Sequence, residues 1–560
     1  MHLPWCALFT TAAFCSPLHS TALAPDAPVG LEQQQHQHQQ EDGTVKKEEI
    51  QNANHVFNAI HSSMRQWGSS VHHNGMSYFL ATVPEGIQFY HGRATKEPVK
   101  GIEWLAFEPE HALVFARPRG PPGGPGGPGG HHGKKGKGEA GPPLPPHGLD
   151  GEDGLPAGYL HTYKTAHPLS LLYIDGMSAG KTEKGTLDST DTVLIDVDVS
   201  GDVMHNENER AMQLCNRSRD EWGGRIDGFL RMEMGFEIIL CDFEKHLTVE
   251  RITQVKQESR FGKPGKGGPG GGGGDAGFAY YQAVAARFDG IGGDRVGLDY
   301  ENFVSAFTYP ADLFQDGELP RLQNVSNETI TKIRDDITEM VLSHAPADVA
   351  ASINWQSVAD MVVARFAARL KYLALGEIES LDAFRNIIDY LLRPFIDYSA
   401  RNTTLEVSRC AAQFMPHGHR PCLAADAIFT VATQICSTLS EAYEEENYAV
   451  ATASIQSLTD WLQWTTWKRC SGCAWDEVCF IPIWPAGRTR DYVHPMCQKE
   501  IPQDREDNYW GGWARPPKRG DDGVPEGPYP PPPPPPAPGM WAEKDFIRVL
   551  PEKFDDELKV

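Results

Sequence analysis

Four stretches of biased composition decide how much of this chain can fold. Residues 25–54 contain Gln33-Gln34-Gln35-His36-Gln37-His38-Gln39-Gln40, residues 118–157 and 261–277 are Gly/Pro-rich and Gly-rich blocks, and 512–540 include Pro530–Pro536. Such segments lack the apolar side chains that offset the entropy of ordering, so they read as a disordered leader, a surface insertion, a linker and a stiff polyproline spacer. With a 24-residue leader also removed, about 420 of the 560 residues are left to fold, enough for two or three domains. Charge narrows the function classes. The 51 Lys and Arg stand against 75 Asp and Glu, a net charge of −24, and the sole basic run is the short one at Lys134–Lys137. Neutralising phosphates needs a basic face, so nucleic-acid binding is excluded as an expectation.

The N-terminus predicts export. Leu3–Phe14 is a mostly apolar run too short for a bilayer span, and Ala22-Leu23-Ala24 has the small-x-small form of a cleavage site. Nine cysteines follow: Cys215, Cys241, Cys410, Cys422, Cys436, Cys470, Cys473, Cys479 and Cys497. Nine is odd, so at most four disulfides form and one thiol is left over. Cys470, Cys473, Cys479 and Cys497 open as Cys-x-x-Cys, but the later spacing differs from a zinc ribbon, and export favours disulfides over metal. Sequons occur at Asn216, Asn324, Asn327 and Asn402. No second apolar run approaches 18 residues and the charged last residues exclude a lipid-anchor tail, so no stable membrane anchor is expected after cleavage.

The pattern along the chain predicts an α+β fold. Residues 55–260 read as a mixed α/β domain, with strands at Tyr78–Val83, Gly86–Tyr90, Trp104–Phe107, Tyr159–Tyr163, Leu169–Ile174, Thr192–Val199 and Phe236–Cys241. A short helix opens at Pro109 and a long one spans Glu207–Met232, which makes Cys215–Cys241 a candidate disulfide. Residues 278–468 read as an all-helical domain, with helices at 328–343, 424–440 and 447–466. An antiparallel pair between them is carried by the stripe Val358, Met361, Val362, Phe366, Leu370, Leu373, the stop Gly376, the cap Ser380 and the stripe Leu381, Phe384, Ile388, Leu391. A Cys-rich cap, 469–498, and a Pro-rich tail, 499–560, complete the map.

Three constellations bear on chemistry. Gly176-Met177-Ser178-Ala179-Gly180 after a strand has the form of a nucleophile elbow, with Asp242 and His246 as the carboxylate and base a serine hydrolase would need; no amphipathic helix follows it. One frame over, Gly176-x-x-x-Gly180-Lys181-Thr182 is one residue short of a phosphate loop. Asp196 and Asp198 share one face of the expected strand 193–199, as a divalent-ion site would require and as any half-solvated strand also shows.

The third set is Tyr90-His91-Gly92, Trp104 with Phe107, and Gly235-Phe236-Glu237-Ile238-Ile239-Leu240. It resembles the motifs of the poly(ADP-ribose) polymerase-type branch of the ADP-ribosyltransferases, although Arg93 stands where that family prefers Ser or Thr and the step from His91 to Trp104 is short. The resemblance implies that His91 and Gly92 bind NAD, that Trp104 or Phe107 stacks on nicotinamide, and that Glu237 is catalytic. Its physical logic is that Gly92 admits close backbone approach and that a carboxylate stabilises a developing ribosyl cation. The stretches Glu103–Phe107, Glu110-His111-Ala112, Leu172–Ser178 and Cys479–Pro485 are similar to a family of uncharacterised secreted proteins of filamentous fungi, which implies a compartment and no activity. The leading expectation is therefore a secreted, non-catalytic glycoprotein with an extracellular protein or the cell wall as partner class, and no cofactor. The alternatives are an NAD-dependent ADP-ribosyltransferase-like enzyme and a serine hydrolase using Ser178.

Overall fold

The computed structural model describes residues 50, 52–116, 158–195, 207–255, 275–315, 317–344, 353–502 and 507–511. The expected leader, most of the biased segments and the Asp196/Asp198 pair lie outside these residues. In chain order the elements of the first half are α1 (Ala53–Ser62), α2 (Gln66–Val71), β1 (Ser77–Val83), β2 (Gln88–Arg93), β3 (Glu103–Ala106), α3 (Pro109–Leu113), β4 (Gly158–Thr165) and β5 (Leu169–Ile174). They continue with α4 (Glu207–Asp220), β6 (Gly228–Met232), β7 (Phe236–Leu240), α5 (Phe243–His246), β8 (Leu247–Val255), α6 (Asp275–Ala285) and β9 (Gly297–Ser305). The second half holds α7 (Asn327–Ser343), α8 (Trp355–Ala374), α9 (Leu381–Leu392), α10 (Thr403–Ala412), α11 (Leu423–Glu444) and α12 (Tyr448–Leu462), then β10 (Val478–Phe480), α13 (Thr489–Val493) and β11 (Met496–Gln498). This is the α+β class the pattern predicts, a large sheet with a helical C-terminal region.

The nine strands form one sheet in the order β8-β4-β2-β3-β7-β6-β5-β1-β9, antiparallel at every pairing except β5 with β6. Along one face runs an aromatic row. Phe303, Phe79, Tyr173, Phe236, Phe107 and Phe89 pass from β9 to β2 with successive ring centroids 4.6 to 6.5 Å apart. Alternation along each strand brings these rings to a common side, and each adds buried apolar area. The turn between α1 and α2 sits on that face, where the Met64 amide donates to the Tyr173 hydroxyl at 3.1 Å and Ser63 Oγ lies 2.9 Å from Tyr300 Oη. Asn54 and Asn58 of α1 donate to the Trp461 and Leu462 carbonyls at the end of α12, which joins the helical region to the sheet.

Several segments differ from expectation. Residues 192–194 are not the start of a strand but the end of a π-helical turn, Ser189–Leu194, pinned where Tyr78 Oη donates to the Ser189 carbonyl. The long helix of 207–232 stops at Asp220, and Gly223 and Gly224, both at positive φ, turn the chain into β6. Residues 297–305, inside the stretch expected to be helical, pair with β1 as the ninth strand, and Asp275–Gly277 of the Gly-rich block open α6.

Helix α11 is long and apolar enough to cross a membrane by length and composition, contrary to the expectation that no such run exists, yet it packs among α1, α9, α10 and α12. The cap closes with β10 paired to β11 and the disulfides Cys470–Cys479 and Cys473–Cys497. Residues 507–511, assigned to the Pro-rich tail, dock beside it. The stacked rings of Tyr492 and Tyr509, 4.6 Å apart, lie between Lys468 at 3.8 Å and Lys184 at 4.5 Å, and Tyr509 Oη is 2.6 Å from buried His73.

Candidate functional site

Register decides what the predicted NAD residues can do together. Tyr90 pairs with Ala106, Ala106 with Glu237 and Glu237 with Arg231, so these four side chains share one face of the sheet. His91, one residue along, projects from the other face, because successive side chains alternate. Its ring lies against Phe243 and His161, and Nδ1 bonds the Trp104 carbonyl at 2.8 Å. Burial lowers its pKa to about 4, so the ring is neutral. Gly92 faces the Glu237 side, but a Cβ there would fall 1.9 Å from the Ala112 carbonyl oxygen; the glycine makes room for α3. Trp104 is half-buried and shares the Glu237 face by its pairing with Ile239, whereas Phe107 is buried edge-on between Phe89 and Phe236 on the opposite face. The structure thus brings Trp104 and Glu237 to one side and keeps His91 and Phe107 on the other. The single cleft that the resemblance implies is not formed.

Glu237 belongs instead to a buried ionic cluster. The turn after β6 closes where the Glu233 amide donates to the Gly235 carbonyl, with Gly235 at φ 132°, and this hairpin sets Arg231 opposite Glu237. Arg231 is fully buried; its Nε and Nη2 reach Glu237 Oε1 at 3.0 and 2.9 Å, and Nη2 also bonds Glu207 at the start of α4. One turn along α4, buried Arg210 forms a two-point pair with Asp191 at 2.8 and 2.9 Å and sits 3.7 Å from Glu207. Lys181 lies 3.8 Å from Glu207 and 3.4 Å from Glu233, with its ammonium 5.3 Å from the centre of the Trp484 ring. His111 of α3 stacks on Tyr280 of α6 at 5.3 Å beside the same carboxylates.

The electrostatics follow from burial. Desolvation lowers the pKa of His111 in spite of the opposing pull of Glu237 and Glu233, and raises that of Tyr280 well above its usual value, so both side chains are neutral. Three cations, Lys181, Arg210 and Arg231, face four carboxylates, Asp191, Glu207, Glu233 and Glu237, and each is held by another member. A carboxylate held by a buried guanidinium already has its charge compensated, which weakens any role in stabilising a ribosyl cation.

The elbow serine is likewise committed. Ser178 is fully buried and its Oγ donates to the Ile174 carbonyl at 2.8 Å, while the flanking amides of Met177 and Ala179 bond the His73 and Met232 carbonyls. His246 contacts His167 at 3.2 Å and Asp227 at 3.4 Å, and Asp242 caps α5 by accepting from the Lys245 amide. The outward hydroxyl that a hydrolase needs is not presented, because the loop after β5 is held at the sheet's end by the His73 and Met232 carbonyls, with Ser178 turned back onto Ile174. Lys181, the phosphate-loop lysine of the shifted frame, is the bridge between two carboxylates. Sequence reasoning missed Arg231, Glu207, Arg210, Asp191 and His111. The available signal was Arg231 and Glu237 flanking Gly235, hidden by extending the helix through Met232.

Residues 37–267 match the family model described as the YPL277C N-terminal domain, a span holding His91, Gly92, Trp104, Phe107 and Glu237. The uncharacterized protein YOR389W of Saccharomyces cerevisiae is 26% identical over 540 residues, which cover 80% of this chain and 85% of that protein. The uncharacterized protein YPL277C of the same yeast is 31% identical over 210 residues, covering 36% of this chain and 42% of that protein. No solved structure matches. These similarities support an uncharacterised family with yeast members, and none of the matched names refers to ADP-ribosyl transfer.

Proposed function

We propose that the protein is an exported glycoprotein that works in an oxidising compartment by binding or by structural support, without catalysis. One observation carries the reading. Of the nine cysteines beyond the expected leader, eight pair as Cys215–Cys241, Cys410–Cys436, Cys470–Cys479 and Cys473–Cys497, in the sheet, the helical region and the cap, and Cys422 is the remaining thiol. Disulfides spread over separate parts of a fold persist where the surroundings are oxidising. The exposure of all four sequon asparagines, Asn216, Asn324, Asn327 and Asn402, agrees with glycosylation. The pairing of Glu237 with Arg231 and the burial of Ser178 favour the non-catalytic reading.

The test is a thiol count and an activity assay on the full chain recovered from culture medium. Alkylation of the unfolded, unreduced protein is expected to label a single cysteine. Retention in the cytosol with every cysteine reactive would overturn the export reading. NAD-glycohydrolase turnover that Glu237→Gln abolishes would replace the non-catalytic reading with the transferase one.

A further inference from the structure

The helical region carries an exposed aromatic patch that the cores and the ionic cluster do not use. Tyr390, near the end of α9, is 69% exposed, Tyr398 is 63% exposed and Leu405, in the first turn of α10, is 50% exposed. The Arg393 guanidinium stands 5.4 Å over the Tyr390 ring, and Tyr398 follows five residues on, in the turn that leads to Arg401 and the start of α10. Tyr398 sits in a tight turn, where Ser399 donates to Asp397 and the Ala400 amide to the Asp397 carbonyl, so its ring is displayed on a fixed loop. Apolar side chains grouped on fixed backbone offer area that a covering group can remove from water.

The sequon Asn402-Thr403-Thr404 borders this patch, within five consecutive exposed residues, Arg401–Leu405. Asn402 caps α10 by accepting the Leu405 amide on Oδ1 at 3.0 Å. An asparagine has two donor hydrogens on Nδ2, and the cap uses none of them. A sugar on Nδ2 therefore leaves the cap intact. The other sequons are less open. Asn216 lies within α4 next to disulfide-bonded Cys215, its Ser218 is buried against the Ile226 carbonyl, and Asn324 and Asn327 crowd each other across three residues.

We propose that Asn402 carries an N-linked glycan whose first sugars cover the Tyr390, Tyr398 and Leu405 patch. This rests on the export reading, because the donor is a lipid-diphosphate-linked oligosaccharide of the secretory membrane. Asn402 Nδ2 bonds to the anomeric carbon of the first sugar, the bond from that carbon to the phosphate oxygen breaks, and the lipid diphosphate leaves with the amide proton; nothing is oxidised or reduced. The pyranose C–H face then lies along the aromatic rings and removes apolar area from water.

The experiment is peptide mass mapping of the full chain from culture medium, with and without peptide N-glycosidase, beside Thr404→Ala, which destroys the sequon and keeps the Asn402 cap. The wild type is expected to carry one glycan at Asn402. The variant is expected to be secreted, to lose that glycan's mass and to bind more of an apolar fluorescent dye, a gain that Tyr390→Ser with Tyr398→Ser removes. A secreted chain modified at other sequons but bare at Asn402 overturns this inference and leaves export standing. A chain retained in the cytosol with every sequon bare overturns both. Equal dye binding by wild type and Thr404→Ala overturns the shielding.

Discussion

The sheet half and the helical half of the molecule use charge and polarity in opposite ways. In the helical half, Ser326, Asn354, Ser380, Asn402 and Asn447 each accept an amide of the helix they precede, and ion pairs such as Lys332–Asp336 lie outside. In the sheet half Asp242 caps α5, but the N-cap side chains of α1, α2 and α3 bond distant residues instead of their own helices, and Arg210–Asp191 and Arg231–Glu237 are buried. The difference follows from connection length. Helices satisfy their ends locally, while a sheet joined across distant sequence must meet its polar requirements with partners brought in by the fold. The helical half is therefore expected to tolerate loss of a surface charge, and the sheet half to fail when one buried partner is removed.

The largest effect is expected from acid, which acts on buried imidazoles of the sheet half and of its junction with the helices. Burial lowers the pKa of His55, His61 and His91 to about 4 and of His72 and His73 to about 3, and none of the five lies in α7–α12. Unfolded imidazoles titrate near 6.5, so below that pH the unfolded chain takes up protons that the folded chain refuses. Stability present above 6.5 is then lost as pH falls toward the folded values of 3 to 4. At pH 5.5 each group costs about 1.4 kcal/mol, and five together cost more than about 5 kcal/mol, a large share of a domain's stability. Thermal unfolding at pH 7.5, 6.5 and 5.5 should show a steep fall in Tm; a flat profile would mean that these imidazoles are not buried neutral.

Next comes Arg231→Met, which leaves Glu237 without its buried partner and Glu207 with only Arg210 and Lys181, and should cost about 3–5 kcal/mol in urea unfolding. Lys332→Met, removing the exposed pair on α7, should cost about 0–1 kcal/mol. Equal effects would erase the contrast. Adding Glu237→Gln to Arg231→Met should recover part of the loss, since it removes the charge that the first change stranded.

The same contrast explains what could be read from sequence. The antiparallel pair α8–α9 was legible because Val358, Val362, Phe366 and Leu370 repeat at helical spacing and Gly376 and Ser380 punctuate it, all within a few turns. The Cys215–Cys241 bridge was legible because a helix and a nearby strand bracket it. The strand order was not, because β3 lies beside β7 and β1 beside both β5 and β9, pairings that no local pattern announces. The site suffered for the same reason. His91 and Glu237 carry the right chemistry, but which face each occupies depends on pairing Tyr90 with Ala106, and a shift of one residue reverses the answer.

The disulfides test whether the halves differ in cross-linking as well. Cys215–Cys241 in the sheet half and Cys410–Cys436 between α10 and α11 both span a sequence separation of 26. If a bridge acts by restricting the unfolded chain, loops of equal length give equal stabilisation, about 3–4 kcal/mol each. Denaturant unfolding of the two double Cys→Ala variants should therefore give matching losses. A difference above about 1 kcal/mol would show that local packing, rather than loop closure, sets the value of at least one bridge.

The smallest effect is expected where the helical half is most locally determined. Ser380 has extended backbone and its side-chain oxygen accepts the Ala383 amide at 3.1 Å, while Gly376, at φ 72°, ends the preceding helix. Ser380→Ala removes that acceptor at an exposed position, where solvent can replace it, so the loss should be about 1 kcal/mol, and Ser380→Asp should match the wild type or exceed it through the helix dipole. Urea midpoints of the three proteins measure this. A loss as large as that of Arg231→Met would mean that the turn between α8 and α9 is coupled to the buried cluster, and the division into a locally and a globally determined half would not hold.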